Sequence, residues 1–505
     1  MDAAVREAEN NSVKGPWALP KGWCWVPLKS LSSFIGRGRG PTYVATGGVP
    51  VVNQKCIRWH RLETQYFKQT SREAFDCLAP ELRIRAGDLL WNSTGTGTIG
   101  RAVLYDGSIP ELTIDSHVTL VRPTCIESSY LEYFIETLRV QHLVTDGHVG
   151  STNQQELPRS FVEDLLIPVP PAAEQRRIVA RVDELFAEIA EGETALAEAR
   201  KGLDAFRRAL LKAAVTGELT KDWRAANPVS ETAHDLLAQV AKERAINTSA
   251  KGRRGRNTEA VSLDASALPR LPDGWAWASL GEIVSEMEYG TSEKCDYTFK
   301  GIPVLRMGNV NFGSLDYSNL KYALPDSSPP ILDDGDLIFN RTNSAELVGK
   351  SAVYRSEISP CSLASYLIRV RFGEVPPDFV AAWINSPYGR AWIASNKSQQ
   401  VGQANLSGGT LKKMPVPVPP IAEAIEIQRR VSDALAAVND TLSSLDAEAA
   451  DAARLKQSIL KAAFEGCIVP QDLTDEPAWS ILARIASVAP SPARVKRGRI
   501  RRPAS

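Results

Sequence analysis

Between Pro170 and Ala214 the apolar and small residues fall at Ile178, Val182, Leu185, Ile189, Gly192, Leu196, Ala199, Leu203, Phe206, Leu210 and Ala213. Steps alternating between four and three make a heptad seam along one helix face. Pro170 and Pro171 block helix before the stretch and Gly217 supplies a stop after it. The pattern predicts one helix of about 40 residues, roughly 60 Å long at about 1.5 Å per residue. From Pro419 to Ala463 the design returns 249 residues on, with Ile427, Val431, Val438, Leu445, Leu455 and Ile459 on Ile178, Val182, Ile189, Leu196, Phe206 and Leu210. After Leu445 the second seam weakens: Ala449 and Ala452 occupy it, and Leu455 follows at three instead of four. That slip predicts a local bend or overwinding. Neither helix can bury its own stripe, so two of equal length and spacing are expected to pack together, antiparallel.

The rest of the chain repeats as well. LPKGWCWVPL at Leu19–Leu28 returns as LPDGWAWASL at Leu271–Leu280, displaced by 252. GDLLWN at Gly87–Asn92 returns as GDLIFN at Gly335–Asn340, displaced by 248. LIPVPP at Leu166–Pro171 and LLKAAVTGEL at Leu210–Leu219 face PVPVPP at Pro415–Pro420 and ILKAAFEGCI at Ile459–Ile468, both displaced by 249. Near-constant offsets in one order mean that a whole unit is duplicated, with small changes in its loops. Each unit opens with short β-branched runs between Gly- and Pro-rich turns, which predict strands. In the first these are Val49–Ile57, Ala102–Asp106 and His117–Pro123; in the second, Gly301–Val310, Lys350–Tyr354 and Ser365–Phe372. One helical patch follows in each, Ser128–Val144 and Pro377–Ile393, and the heptad helix then closes the unit.

Composition narrows the function. The 505 residues exceed single-domain size. Net charge is zero, so no global basicity advertises nucleic acid, although basic faces can hide in a neutral total. Seven cysteines without a C-x-x-C pair fit reduced thiols, and no apolar run approaches a membrane span, so a cytoplasmic protein is expected. GTGTIG at Gly95–Gly100 matches a dinucleotide fingerprint, with Asp115 at the right distance, but a strand-like run follows where a helix is required. A Gly/Thr-rich loop able to approach a ligand closely is the better reading. GKS at Gly349–Ser351 has Ser344 where a Walker A loop needs glycine. The five histidines show no metal spacing and no nucleophile elbow occurs. Nothing looks catalytic, which favours binding or assembly.

Taken together, LPKGWCW and LPDGWAW, GDLLWNSTGTGTIGR and GDLIFNRTNSAELVGKSAVY, STNQQEL at Ser151–Leu157, the two proline junctions and the LLKAA and ILKAA ends resemble the specificity (S) subunit of type I restriction–modification enzymes, from about Leu19 to Asp472. The second junction departs from the first: AEAIEIQRRV sets Gln428–Arg429–Arg430 one helical turn later than AEQRRI does its own, while Glu174 and Glu423 remain equivalent. The resemblance implies an α/β (α+β) chain with two β-rich target recognition domains in tandem, each followed by a long helix, the helices forming an antiparallel coiled coil. It implies a non-catalytic subunit that binds double-stranded DNA at an asymmetric bipartite target, one domain per half-site. Two methyltransferase (M) subunits would flank it and translocase-nuclease (R) subunits would join for cleavage. S-adenosylmethionine, ATP and Mg would belong to those partners, with no cofactor, metal or membrane contact in this chain. The alternative is a coiled-coil scaffold or interaction protein without DNA function.

On that reading residues 1–15 form a loose N-terminus and 16–170 the first recognition domain. Residues 171–246 carry the first spacer helix with a short helical extension, and 247–267 a basic flexible linker. The second recognition domain spans 268–419, the second spacer helix and extension 420–485, and a basic tail 486–505. Different loops on one frame, Phe34–Gly48 against Met287–Gly301, imply different half-sites. Side chains able to pair with base edges or phosphates are the candidate readers. In the first domain they are Arg37, Arg39, Asn53, Gln54, Lys55, Arg58, Ser93, Thr94 and Thr96; in the second, Lys294, Arg306, Asn309, Asn311, Arg341, Thr342, Asn343 and Ser344. Asn153 and Asn405 are read as structural or docking residues.

Overall fold

A computed structural model describes residues 14–150, 155–228, 231–250, 268–400 and 402–480. The loose N-terminus up to residue 13, Asn153, most of the basic linker and the tail lie outside the described residues. The chain divides into two compact units, residues 1–195 with 447–505, and residues 196–446.

The first unit is built on a four-stranded antiparallel sheet of β1 (Ser32–Arg37), β2 (Leu89–Asn92), β3 (Ala102–Leu104) and β4 (Val118–Pro123), in the order β1-β4-β2-β3. Its central strands read as continuous apolar runs because both faces are covered. Leu89, Trp91 and Val121 face a core with Tyr130, Phe134 and Val182, while Leu90 and Leu120 face another with Val103, Tyr105 and Ile114. A strand at Cys24–Pro27 pairs antiparallel with Leu166–Val169, so the LPKGWCW and LIPVPP motifs zip together. Directly beyond them α1 (Ala172–Val215) begins, the first of two 44-residue helices.

The second unit repeats the plan with β5 (Val284–Tyr289), β6 (Leu337–Asn340), β7 (Ser351–Val353) and β8 (Leu367–Phe372), ordered β5-β8-β6-β7. Leu337 and Phe339 face one core and Ile338 the other. Ala276–Ser279 zips to Pro415–Val418, and α2 (Ile421–Phe464) follows. Gly217 and Gly466 sit just past the ends of α1 and α2 with φ of 73°, the left-handed conformation that terminates a helix.

The two long helices pack together, and in each unit their residues run in opposite directions. In the first, Gln471 Nε2 donates to Glu174 at 2.5 Å and Lys456 Nζ to Glu193 at 2.9 Å. In the second, Thr220 Oγ1 donates to Glu423 at 2.7 Å and Arg200 pairs with Asp446. Each domain thus rests on the start of its own helix and the end of the other. Trp23 Nε1 donates to Glu174 at 3.0 Å, and Trp275 Nε1 to Glu423 at 2.9 Å.

The seam differs in phase from the expected one. Ile178, Val182, Leu210, Ile427, Val431, Val438 and Ile459 are buried, and Leu185, Ile189, Leu196, Leu203 and Leu445 partly so. Phe206 and Leu455, however, are 49% and 52% exposed and lie off the stripe. The sheltered positions beside them are Arg207 and Lys456, one residue on. Long cations of this kind can shelter a stripe with their stems while their charges reach out. Lys456 Nζ lies 5.9 Å from the centroid of Phe186 and pairs with Glu193. The inner positions run Leu445, Ala449, Ala452, Lys456, Ile459, in unbroken steps of four and three, so the expected slip does not occur.

Smaller differences have local causes. Val49–Ile57 is not one strand: it stops at Val52, because Asn53 Oδ1 accepts from Lys55 N at 2.9 Å and turns the chain. Gly301–Val310 stops at Leu305 for the same reason, with Asn309 Oδ1 accepting from Arg306 N at 2.9 Å. Both helical patches are split, at Thr137 and Ser386, whose hydroxyls cap the following helices at Val140 N and Gly389 N. The helix Ala233–Ala250 runs into the span read as linker.

One polar cluster locks the first domain to α1. His60 Nε2 lies 2.7 Å from Glu136 and Nδ1 3.3 Å from Glu132, and the ring lies tilted against Tyr133 and edge-on to Phe186. Burial opposes charge on the ring, but the two carboxylates outweigh it and lift His60 to about 10. A raised folded value contributes stability fully below the unfolded value near 6.5 and loses it as pH rises towards 10. With partial solvent screening, His60→Ala is expected to cost about 1 kcal/mol at pH 6 and almost nothing from this source at pH 10. Urea unfolding of the first unit at the two pH values checks this.

Candidate nucleic-acid interface

In each main sheet three segments meet at one edge: the carboxyl end of the first strand, the amino end of the last, and the carboxyl end of the strand between. In the first unit, pairing of Thr119 with Arg37 and of Val118 with Asn92 brings Arg37, His117 and Asn92 there. In the second, Ile368 pairs with Tyr289 and Leu367 with Asn340, which gathers Tyr289, Tyr366 and Asn340.

A fully buried asparagine organises both edges. Asn92 Nδ2 donates to the carbonyls of Gln54 at 3.1 Å and Thr98 at 3.2 Å, and so ties two loops to its strand. Asn340 Nδ2 does the same to the Met307 carbonyl at 3.3 Å. The backbone agrees: Ser93 N donates to the His117 carbonyl at 2.9 Å, and Arg341 N to the Tyr366 carbonyl at 3.0 Å. Positions therefore correspond between units as Arg37 with Tyr289, Gln54 with Met307, Ser93 with Arg341, and His117 with Tyr366. The frame is common and the side chains on it are not.

In the first unit the edge is polar. Thr94 Oγ1 lies 3.3 Å from Gln54 Oε1 and 2.7 Å from His117 Nδ1, and His117 is exposed. Asp115 supports it: its Oδ1 accepts from His117 N at 2.9 Å, and Tyr43 OH donates to its Oδ2 at 3.3 Å. Burial, then the Asp115 charge, pushes the Tyr43 phenol to about 12, so it stays a donor at neutral pH. The Gly/Thr loop forms a tight turn in which Gly95 has a φ of 105°, a conformation that favours glycine, and a Cβ there would displace the Gln54 side chain, whose Oε1 would lie 2.3 Å away. The strand β3 follows it rather than a helix, as expected from the sequence.

Several candidate readers do other work. Asn53 and Asn309 are buried turn formers, their amides donating to the Tyr66 and Asp316 carbonyls at 2.7 and 2.8 Å. Ser93 is buried against Thr119, and Thr342 donates to Asn405 Oδ1 at 3.1 Å, which makes Asn405 structural. Arg37 is held by Glu156 and the Leu157 carbonyl, and burial lowers its pKa. Arg58 is held by Glu63 at 3.1 Å and by the Lys55 and Ile57 carbonyls. Arg306 donates to the Asn319 carbonyl at 2.9 Å and lies over the Tyr297 ring. Asn343 Oδ1 accepts from Ser344 N at 2.8 Å. Arg39, Lys55, Thr96, Lys294 and Asn311 are exposed, and Gln54, Thr94, Arg341, Asn343 and Ser344 are partly exposed. The sequence reading missed His117 and Tyr366, which 249 residues separate at the head of matching strands.

Among the described residues no helix is long and apolar enough to cross a membrane. Residues 48–199 match the family described as Type I restriction modification DNA specificity domain. Over 478 residues the chain is 25% identical to the Type I restriction enzyme EcoKI specificity subunit of Escherichia coli (strain K12), covering 91% of this chain and 92% of that one. It is 26% identical over 346 residues to the EcoBI specificity subunit of Escherichia coli, covering 66% and 64%. A solved chain from work on complex assembly and conformational transition of the type I R-M system shares the fold, with a TM-score of 0.61 at 18% identity, covering 90% of this chain and all of the other.

Proposed function

From the premise that this chain is the specificity subunit of a type I restriction–modification system, we propose that each unit reads one half of an asymmetric split DNA target through the sheet edge organised by Asn92 or Asn340. The observation that carries this is the common frame bearing different side chains at the positions of Arg37 and Tyr289, Gln54 and Met307, Ser93 and Arg341, and His117 and Tyr366. Two readers of one architecture and unlike surfaces select two unlike half-sites, and direct readout needs side chains presented at base edges. The paired helices act as the spacer that sets the distance between half-sites, and the chain itself performs no chemistry. Methyl transfer with S-adenosylmethionine belongs to methyltransferase partners, and ATP- and Mg-dependent translocation to translocase-nuclease partners.

Co-expression with a cognate methyltransferase subunit, followed by genome-wide mapping of methylated adenines, tests the reading. One motif of two short halves is the expected result; methylation at no defined motif sinks it. Binding by the assembled complex should also weaken steeply with salt, whereas a scaffold without DNA function shows no duplex binding. Arg341 is partly exposed with its guanidinium 4.9 Å from the Tyr289 ring. Arg341→Ala should lower discrimination by about 1–3 kcal/mol at the second half alone. Equal loss at both halves contradicts the assignment.

A further inference from the structure

The two edges differ in balance as well as in detail: beside its polar groups the first carries Tyr43, 40% exposed with Lys68 Nζ 4.2 Å from its ring centroid, whereas the second is mainly apolar. Where the first unit places Arg37, Gln54 and His117, the second places Tyr289, Met307 and Tyr366. Phe312 joins them, since Gly313 N donates to the Ser351 carbonyl at 2.9 Å, next to Lys350, whose carbonyl receives Asn340 N. Tyr289, Met307, Phe312 and Tyr366 are between 39% and 47% exposed. So many half-exposed large apolar groups on one sheet edge are unusual for a surface left to water. Cations accompany them: Arg341 lies 4.9 Å from the Tyr289 centroid, and Lys350 and Arg390 lie 5.3 and 5.2 Å from that of Phe312.

We propose that the second unit reads its half-site chiefly by apolar contact with thymine methyl groups in the major groove, while the first reads by hydrogen bonds to base edges. This rests on the function proposed above and names the chemistry of its second half. The C5-methyl of thymine is the one apolar group that a base pair shows in that groove, and apolar side chains are its partners. Positive charge beside the rings suits a surface that must also sit against phosphates. A wedge driven between base steps fits less well, because such a side chain must protrude. Here the rings are held at half burial, Tyr289 by its OH accepting from Gly408 N at 2.9 Å and Phe312 by its two cations.

The experiment uses the complex of this chain with its methyltransferase subunit and duplexes carrying the mapped target. Uracil replaces thymine in one half at a time, which removes the methyl and leaves the pairing intact. In the second half, binding is expected to weaken about fourfold for each methyl lost, and in the first half by less than twofold. Met307→Gln with Tyr366→His, the residues that the first unit carries, should abolish the uracil effect in the second half. Discrimination at the first half, measured in the same samples, reports that the variant is folded. A second half-site without an A·T pair, no uracil effect there, equal effects in both halves, or a full effect in the folded double variant would each overturn the proposal. No split motif at all would instead overturn the function on which it rests.

Discussion

Glu423→Ala is expected to destabilise the second unit by about 3–5 kcal/mol, because it strands a charge and two polar groups where water is excluded. The carboxylate is fully buried. It accepts from Trp275 Nε1 at 2.9 Å, Thr220 Oγ1 at 2.7 Å, and Arg224 Nη2 at 2.6 Å. Removing it leaves the guanidinium, itself mostly buried, without its carboxylate. Denaturant unfolding of the second unit reads the loss, and a cost below 1 kcal/mol would mean that the junction relaxes around the gap.

The equivalent carboxyl of the first unit has no cation of its own. Glu174 receives Trp23 Nε1 and Gln471 Nε2, while the nearest guanidinium, Arg177, is engaged by Asp475 at 2.7 Å. Burial raises the Glu174 pKa above its ordinary 4.5. The folded carboxyl thus keeps its proton to higher pH than the unfolded one. Its contribution is most favourable below the ordinary carboxylate value and is lost as pH rises through the raised one. Glu174→Gln should cost no more than about 1 kcal/mol at neutral pH and flatten the acid-side rise in stability of the first unit. Paired pH titrations of Tm for parent and variant decide it.

The second large effect belongs to the readers. Asn92→Ala leaves the Gln54 and Thr98 carbonyls without their donor, at an expected cost of about 1–3 kcal/mol. The two loops it ties carry Gln54 and Thr94, so discrimination at the first half-site should fall about tenfold while the second keeps its preference. Asn340→Ala should mirror this at the second half. Methylation mapping of each variant beside the parent checks both, and loss at both halves from either substitution would show that the asparagines serve the fold generally.

Much of the architecture was legible because the chain states it twice. Offsets of 248 to 252 aligned the opening strands, the GDLLWN and GDLIFN strands and the helices without any structure. The seam phase is not legible at Phe206 and Leu455, because an apolar residue on a helix need not be buried, and there the sheltered positions are the cations Arg207 and Lys456. Reader assignment suffered from the converse. Asn53, Ser93, Asn309 and Thr342 are polar loop or strand-end residues, as a base reader would be, yet each is spent on its own backbone or a neighbour. Sequence cannot separate a side chain that faces out from one that turns the chain. Tyr366 and Met307 carry no such polar signal, and only the fold brings them to the sheet edge beside Asn340.

The first unit is closed by residues that follow the second unit in the chain. Ile459, Leu460, Ala463, Phe464 and Ala478 complete its core, with Phe464 5.0 Å from both Tyr130 and Phe134. The second unit is drawn from one uninterrupted stretch. On the ribosome, where domains fold as they emerge, the order of completion therefore inverts the order of synthesis. The domain translated first waits, with an open core, until residues 459–478 have been made. A truncation ahead of Ile459 is consequently expected to leave the core of the first unit open while residues 196–446, which make up the second, stay whole.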